Sequence, residues 1–139
     1  MEIKTIPKEK AWQLRHQVMW PDKDLDYVKL EEDDTGTHYG LFVGEQLVSV
    51  VSLFIEGEEA QFRKFATLVT EQKKGYGTQL LQVMLEDAIK AGVRRIYCNA
   101  RVEKATYYKK FGFIETETIF AKGGKNYIIM KRLFHDSKA

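Results

Sequence analysis

The spacing of apolar positions changes several times along the chain, and each change marks an element. Glu2–Ile6 reads as a short first strand. After Pro7, the residues Ala11, Leu14 and Val18 are spaced to share one helix face. That helix is expected to close before Trp20-Pro21, because a residue preceding proline is pushed out of the helical region. Asp22–Thr37 is polar and acidic with little period, and is expected to be a loop or a partly helical lid. Tyr39–Val43 and Leu47–Ile55, rich in β-branched and aromatic residues, read as a hairpin across Gly44-Glu45-Gln46. Glu56-Gly57-Glu58-Glu59 is the next turn, and a strand follows at about Gln61–Val69.

A long helix is predicted from about Gly75 to Ala91. Tyr76, Leu80, Met84 and Ala88 fall four apart with Leu81, Leu85 and Ile89 beside them, which makes one apolar stripe. Gly92 stands where a helix-ending glycine belongs. Arg95–Ala100 reads as a strand and Ala105–Phe111 as a short helix. Phe113–Phe120 and Tyr127–Leu133 form a final hairpin across Gly123-Gly124, and the tail from His135 is expected to fray. The order strand, helix, strand over Gln61–Ala100 makes those two strands parallel neighbours. The expected class is α/β in the mixed sense: a mostly antiparallel sheet with a central parallel strand pair, flanked by helices.

Composition narrows this little. The chain has 139 residues, which points to a single domain over 1–139. Its 22 basic and 20 acidic side chains leave a net charge of +2, so charge gives no reason to invoke nucleic acid. One cysteine, Cys98, allows no internal disulfide and no cysteine-rich metal site, and no metal is expected. The stretch MEIKTIPKEK has no signal-peptide core, and apolar runs such as Val48–Ile55 are too short to span a bilayer. A cytoplasmic protein without membrane attachment is the expectation.

The informative segment is FRKFATLVTEQKKGYGTQLL, Phe62 to Leu81. A strand runs into a short turn, and a helix opens at Gln72-Lys73-Lys74-Gly75-Tyr76-Gly77-Thr78. The first N–H groups of a helix have no partner within it, and the helix dipole places partial positive charge there. An anion such as a pyrophosphate is suited to that end, Gly75 and Gly77 would let it approach the backbone, and Lys73 and Lys74 add charge. Two glycines at such a turn also arise from tight packing alone, and that reading stays open. A P-loop is set aside because Gly77 is followed by Thr78-Gln79. The dinucleotide fingerprint is set aside because position 80 is Leu80.

Gln72-Lys73-Lys74-Gly75-Tyr76-Gly77 resembles the Q/R-x-x-G-x-G/A signature of the GNAT superfamily, the GCN5-related N-acetyltransferases, and it follows Phe65-Ala66-Thr67 where that family has a strand. Downstream, Asn99 at a strand end and Ala105-Thr106-Tyr107-Tyr108-Lys109-Lys110-Phe111-Gly112-Phe113 resemble the family's second motif. The resemblance covers at least Ile3 to Leu133. It departs at Val69, where a proline is common, at Lys73, where glycine or arginine is usual, and in the second motif, whose alanine sits one residue late.

What the resemblance implies is an N-acetyltransferase that takes acetyl-CoA and passes the acetyl group to a primary amine by direct attack. The amides of Phe65, Ala66 and Thr67 would meet the pantetheine arm, and the segment Gln72, Lys73, Lys74, Gly75, Tyr76, Gly77 and Thr78 would cradle the pyrophosphate. Asn99 would contact the pantetheine amides, or serve only as a turn residue at the strand end. Tyr108 would protonate the departing thiolate, although the aromatic cluster of Tyr107, Tyr108, Phe111 and Phe113 also suits a core. Lys104, Lys109 and Lys110 could meet a 3′-phosphate or simply face water. Glu56, Glu58, Glu59, Glu103, His38 or a water chain could act as the base. Glu31-Glu32-Asp33-Asp34 is either a solvated acidic loop or an attractor for a cationic amine. Cys98 reads as a buried structural thiol. The acceptor could be a small amine, an amino acid, a polyamine or a protein amine, and a homodimer is possible. A sensor that binds coenzyme A without catalysis, or an interaction domain without cofactor, are the rival readings.

Overall fold

Elements fall where the residue spacing predicts them, with boundaries displaced by a residue or two. The computed structural model describes residues 1–134, so the tail expected to fray from His135 lies outside the described residues. In chain order the elements are β1 (Glu2–Ile6), α1 (Lys8–Met19), β2 (Thr37–Val43), β3 (Gln46–Glu56), β4 (Glu59–Thr67), α2 (Tyr76–Lys90), β5 (Arg95–Arg101), α3 (Ala105–Lys109), β6 (Ile114–Lys122) and β7 (Lys125–Leu133). The 22–37 stretch is not an open loop. It contains two 3-10 turns, Leu25–Val28 and Glu31–Asp34.

The fold is mixed α/β. Among the described residues seven strands run in the order β1-β2-β3-β4-β5-β7-β6, and β4 and β5 are the parallel pair, with Glu59, Ala60 and Gln61 opposite Arg95, Ile96 and Tyr97. The last hairpin folds back so that β7, and not β6, lies beside β5 in antiparallel register, Cys98 opposite Met130. That insertion is not readable from strand order alone.

The chain forms two compact units. The first comprises Met1–Phe54 and Phe62–Asp87. Its central strand is β3, where every residue from Val48 to Leu53 is buried, as a strand covered on both faces requires. Ala11 and Leu14 of α1 and Leu80, Leu81, Met84 and Leu85 of α2 join that core. The apolar stripe read on α2 is wider than its buried face, since Ile89 is 46% exposed.

The second unit holds Ile55–Gln61 and the described chain from Ala88 onward. Here β5 alternates, with Ile96, Cys98 and Ala100 buried alongside Ile128 and Met130 of β7, Ala105 and Phe113. On the other face of the same two strands, Arg95, Tyr97, Asn99 and Arg101 and their neighbours Tyr127, Ile129, Lys131 and Leu133 are all at least partly exposed.

Candidate functional site

In the first unit, the end of β4 leads into α2 through a turn held at every step. The Leu68 amide donates to the Val48 carbonyl at 2.9 Å, which ties the strand end to β3. Val69–Glu71 then makes one 3-10 turn, in the place where the related motif often has proline. The Gln72 side-chain amide reaches back to the Thr67 carbonyl at 3.0 Å and closes the loop. Ser49, fully buried, donates its hydroxyl hydrogen to the Ala66 carbonyl at 3.1 Å, so the 2.8 Å contact with Thr67 is a donation from the Thr67 hydroxyl. Residue spacing did not single out Ser49. Its only mark in the sequence is a polar residue inside an apolar strand.

The two glycines of the turn have different physical reasons. Gly75 adopts φ +85, a left-handed conformation that costs other residues energy, and nothing lies within 4 Å of where a side chain would begin. Its carbonyl accepts from the Gln79 amide at 3.1 Å, so α2 begins here on a residue with no capping side chain. The N–H groups of Tyr76 and Gly77 lie in the first turn, where α2 itself supplies no acceptor. Gly77 is a matter of packing: a Cβ there would stand 2.7 Å from the Phe65 ring and 3.3 Å from the Thr67 hydroxyl. The open backbone at Gly75, at the head of a helix, fits a phosphate group, whereas Gly77 brings the helix close to the strand.

Charge at this turn is uneven. Lys74 is exposed and pairs with Glu71 at 2.8 Å, and the Glu71 hydrogen bond raises its amine above the ordinary value. Lys73 is exposed, has no ion-pair partner among the described residues, and sits at φ +66 in the left-handed region despite its side chain. Lys64 within β4 does the same at φ +57.

In the second unit, Asn99 is exposed on β5 and its neighbour Cys98 is 2% exposed on the opposite face. Burial pushes the Cys98 thiol up to about 12, so it stays protonated and is no nucleophile. Tyr108, on α3, is partly buried. Burial first, then the neighbouring Cys98 and Tyr107, push its phenol well above the ordinary value. Tyr108 therefore holds its proton throughout the neutral range, as a general acid must and a general base must not. Its ring meets Tyr107 edge-on at 5.4 Å, and Tyr107 meets Phe111 at 5.3 Å. Lys104, Lys109 and Lys110 are exposed, with Lys109 3.2 Å from Glu115.

In the acidic run Glu31, Glu32 and Asp34 are exposed, as a solvated loop requires, and Asp33 alone has a role that neither reading gave it. Asp33 is buried and pairs with Arg15 of α1, itself fully buried. Arg15 donates to the two carboxylate oxygens at 2.8 and 3.0 Å, to the Val28 carbonyl at 2.9 Å and to the Ser52 hydroxyl at 2.9 Å. Asp33 also accepts from the Trp12 indole at 2.7 Å and the Leu30 amide at 2.9 Å. Burial alone would raise this carboxyl; the hydrogen bonds from Arg15, Trp12 and Leu30, with the Arg15 charge, hold it at about 2 instead. Ser52 accepts from Arg15 and can give its own hydrogen to His38 Nδ1 at 2.7 Å, and His38 Nε2–H then donates to the Asp33 carbonyl at 2.9 Å. His38, one of the candidate bases, thus has both ring nitrogens engaged inside the first unit. Of the other candidates, Glu58, Glu59 and Glu103 pair with Arg94, Arg95 and Arg101, and Glu56 is exposed.

Among the described residues no group of His, Cys, Asp or Glu could hold a metal ion, and no helix is long and apolar enough to cross a membrane. A model of the acetyltransferase (GNAT) family matches residues 8–113. An uncharacterized N-acetyltransferase of Bacillus subtilis (strain 168), YitI, is 28% identical over 148 residues, covering 99% of each chain. An acyl-CoA N-acyltransferase from Pseudomonas aeruginosa superposes with a TM-score of 0.78 at 17% identity, over 94% of this chain and 98% of its own. A GNAT family acetyltransferase from Elizabethkingia anophelis, with acetyl-CoA bound, superposes with a TM-score of 0.73 at 16% identity, over 96% of this chain and 97% of its own. At these identities the structural likeness speaks for the fold.

Proposed function

Because this chain belongs to the acetyltransferase (GNAT) family, we propose that it is an acyl-CoA-dependent N-acyltransferase that moves an acetyl group from acetyl-CoA to a primary amine by direct attack. The observation that carries this reading is the start of α2, where Gly75 presents open backbone beside the Tyr76 and Gly77 amides, which the helix itself gives no acceptor, and where Lys73 is exposed with no ion-pair partner among the described residues. That end of a helix suits the diphosphate of coenzyme A.

Acetyl-CoA brings an already activated thioester, so no covalent link to the protein is required. The chain's own residues then have three tasks. Tyr76, Gly77 and Thr78, with Gln72 and Lys74 shaping the turn, hold the diphosphate. The strand end Phe65-Ala66-Thr67, pinned by Ser49, offers its backbone to the pantetheine arm, with Asn99 as a further contact. Tyr108 keeps its proton until the amine has attacked and then gives it to the departing thiolate, while the proton that the amine nitrogen loses passes to water, through which the phenol is restored.

The test is calorimetric binding of acetyl-CoA to the wild type and to Gly75→Asp. Aspartate tolerates the left-handed region better than most residues, and nothing lies within 4 Å of where its side chain would begin, so the fold should persist while a carboxylate stands in the phosphate's place. The expected result is wild-type affinity near micromolar, about −8 kcal/mol, weakened at least about tenfold in the variant, a change of about 1.4 kcal/mol. No binding by the folded wild type would sink the reading.

A further inference from the structure

We infer that Arg132 is a positioning residue for Tyr108, an assignment that rests on the acid role given to Tyr108 above. α3 has five residues, and a helix that short does not hold its shape in water unaided. Its end must therefore be held from outside. The Phe111 and Phe113 amides return to the Tyr108 carbonyl at 3.0 and 3.3 Å, and the Gly112 amide returns to Lys109 at 3.0 Å, so Tyr108 is itself part of the closing turn.

The anchor for that turn comes from β7. Arg132 Nη1 donates to the Phe111 carbonyl at 2.9 Å, and the guanidinium lies over the Phe134 ring at 4.8 Å. Arg132 stands opposite Ile96 of β5 on a strand that pairs on both sides, so its backbone is a fixed point within the second unit. A charged donor on a carbonyl at the C-terminal end of a helix is stronger than a neutral one, and complements the dipole there.

Gly112 completes the arrangement. Its φ is +87, and a Cβ would come 3.1 Å from Arg132 Nε and 3.2 Å from Arg132 Cδ. The glycine of the second motif thus leaves the space in which the guanidinium lies. A phenol displaced by about 1 Å keeps its acidity and loses most of its use as a proton donor. Arg132 acts on Tyr108 through this turn and touches no reacting atom.

The experiment compares Arg132→Met, Arg132→Lys, Tyr108→Phe and the Arg132→Met/Tyr108→Phe double variant. Acetyl-CoA turnover is measured against a panel of primary amines, together with the fluorine spectrum of fluorotyrosine-labelled protein. The Tyr108 signal is identified by its loss in Tyr108→Phe. Arg132→Met should shift that signal and lower kcat about tenfold with KM for acetyl-CoA unchanged. Arg132→Lys should recover part of the loss, and the double variant should be no slower than Tyr108→Phe alone. An unmoved Tyr108 signal, a wild-type kcat in Arg132→Met, or losses that multiply in the double variant would each overturn the assignment. If Tyr108→Phe itself turns over like the wild type, the acid reading falls and Arg132 with it. A slow Tyr108→Phe beside an unaffected Arg132→Met removes only the role of Arg132. Should Arg132→Met fail to fold, Arg132→Gln, which keeps much of the stem and removes the charged donor, is read in the same way.

Discussion

Two connecting segments of the first unit look alike in the sequence and are built on opposite principles. Residues 22–36 and residues 68–78 are both polar, both lack a clear period, and both carry charges that invite a ligand. The first is organised from its side chains inward: Asp33 turns away from solvent to meet Arg15, and Trp12, Val28, Leu30, Ser52 and His38 complete the set. The second is organised from its backbone outward: Gly75 and Lys73 take left-handed conformations, Gln72 closes the loop, and α2 opens on a residue without a side chain. A charge in a loop therefore says little about ligands until its partner is known. A left-handed backbone with open space above it says more.

If the first segment owes its shape to a buried ion pair, removing one partner should be severe. Arg15→Met leaves the Asp33 carboxylate buried without its cation, which costs about 3–5 kcal/mol in such pairs. Urea unfolding should show that loss, and the double variant Arg15→Met/Asp33→Leu should regain much of it, because two apolar groups leave no charge behind. Gly75→Asp in the other segment should cost no more than about 1 kcal/mol, the strain of a side chain at φ +85. A small effect of Arg15→Met would dissolve the contrast between the two segments.

The pair should also give the first segment an acid limit. The Asp33 carboxyl is held at about 2 in the folded chain, against about 3.9 for an unperturbed aspartate. A depressed folded value means stability that is fully present above pH ~4 and is lost as pH falls toward 2, about 2 kcal/mol in all. Asp33→Asn should flatten that slope while lowering stability at neutral pH. An acid titration of unfolding free energy in the two proteins tests this, and parallel slopes would show that other carboxylates set the limit.

The regular elements were legible because burial leaves a period. Ala11 and Leu14 mark one face of α1, Leu80, Leu81, Met84 and Leu85 mark α2, and all are buried. The same logic contained a warning about the first segment: Arg15 stands beside Leu14, four residues from Ala11, on the face that must go inward. Its partner Asp33 lies 18 positions away, and no local pattern joins them. Ser49 and Ser52 in the middle of an apolar strand carried the same signal, since a hydroxyl buried there must have found a partner. The placing of β7 beside β5 was hidden for a different reason. A hairpin fixes which strands pair with each other and leaves open which of them meets the rest of the sheet. Of the site residues, the backbone conformation at Gly75 could be expected from its type, whereas the packing role of Gly77 depends on the Phe65 ring and needed coordinates.

The smallest effect bears on why Lys73 occupies a position suited to glycine. At φ +66 its side chain costs about 1 kcal/mol relative to a relaxed conformation. Glycine would relieve that strain, but gains chain entropy when unfolded, about 0.5–1 kcal/mol. Lys73→Gly should therefore change stability little, by at most about 0.5 kcal/mol in favour of the variant. Nothing in the described residues pairs with the ammonium, so folding gives no reason to keep it. Its use is then electrostatic: the variant should bind acetyl-CoA about threefold more weakly at low salt, and the difference should shrink as added salt screens the charge. Equal affinity at low salt would leave the left-handed backbone at 73 as part of the turn's shape alone, and the diphosphate would be held by the amides of α2 without help from this side chain.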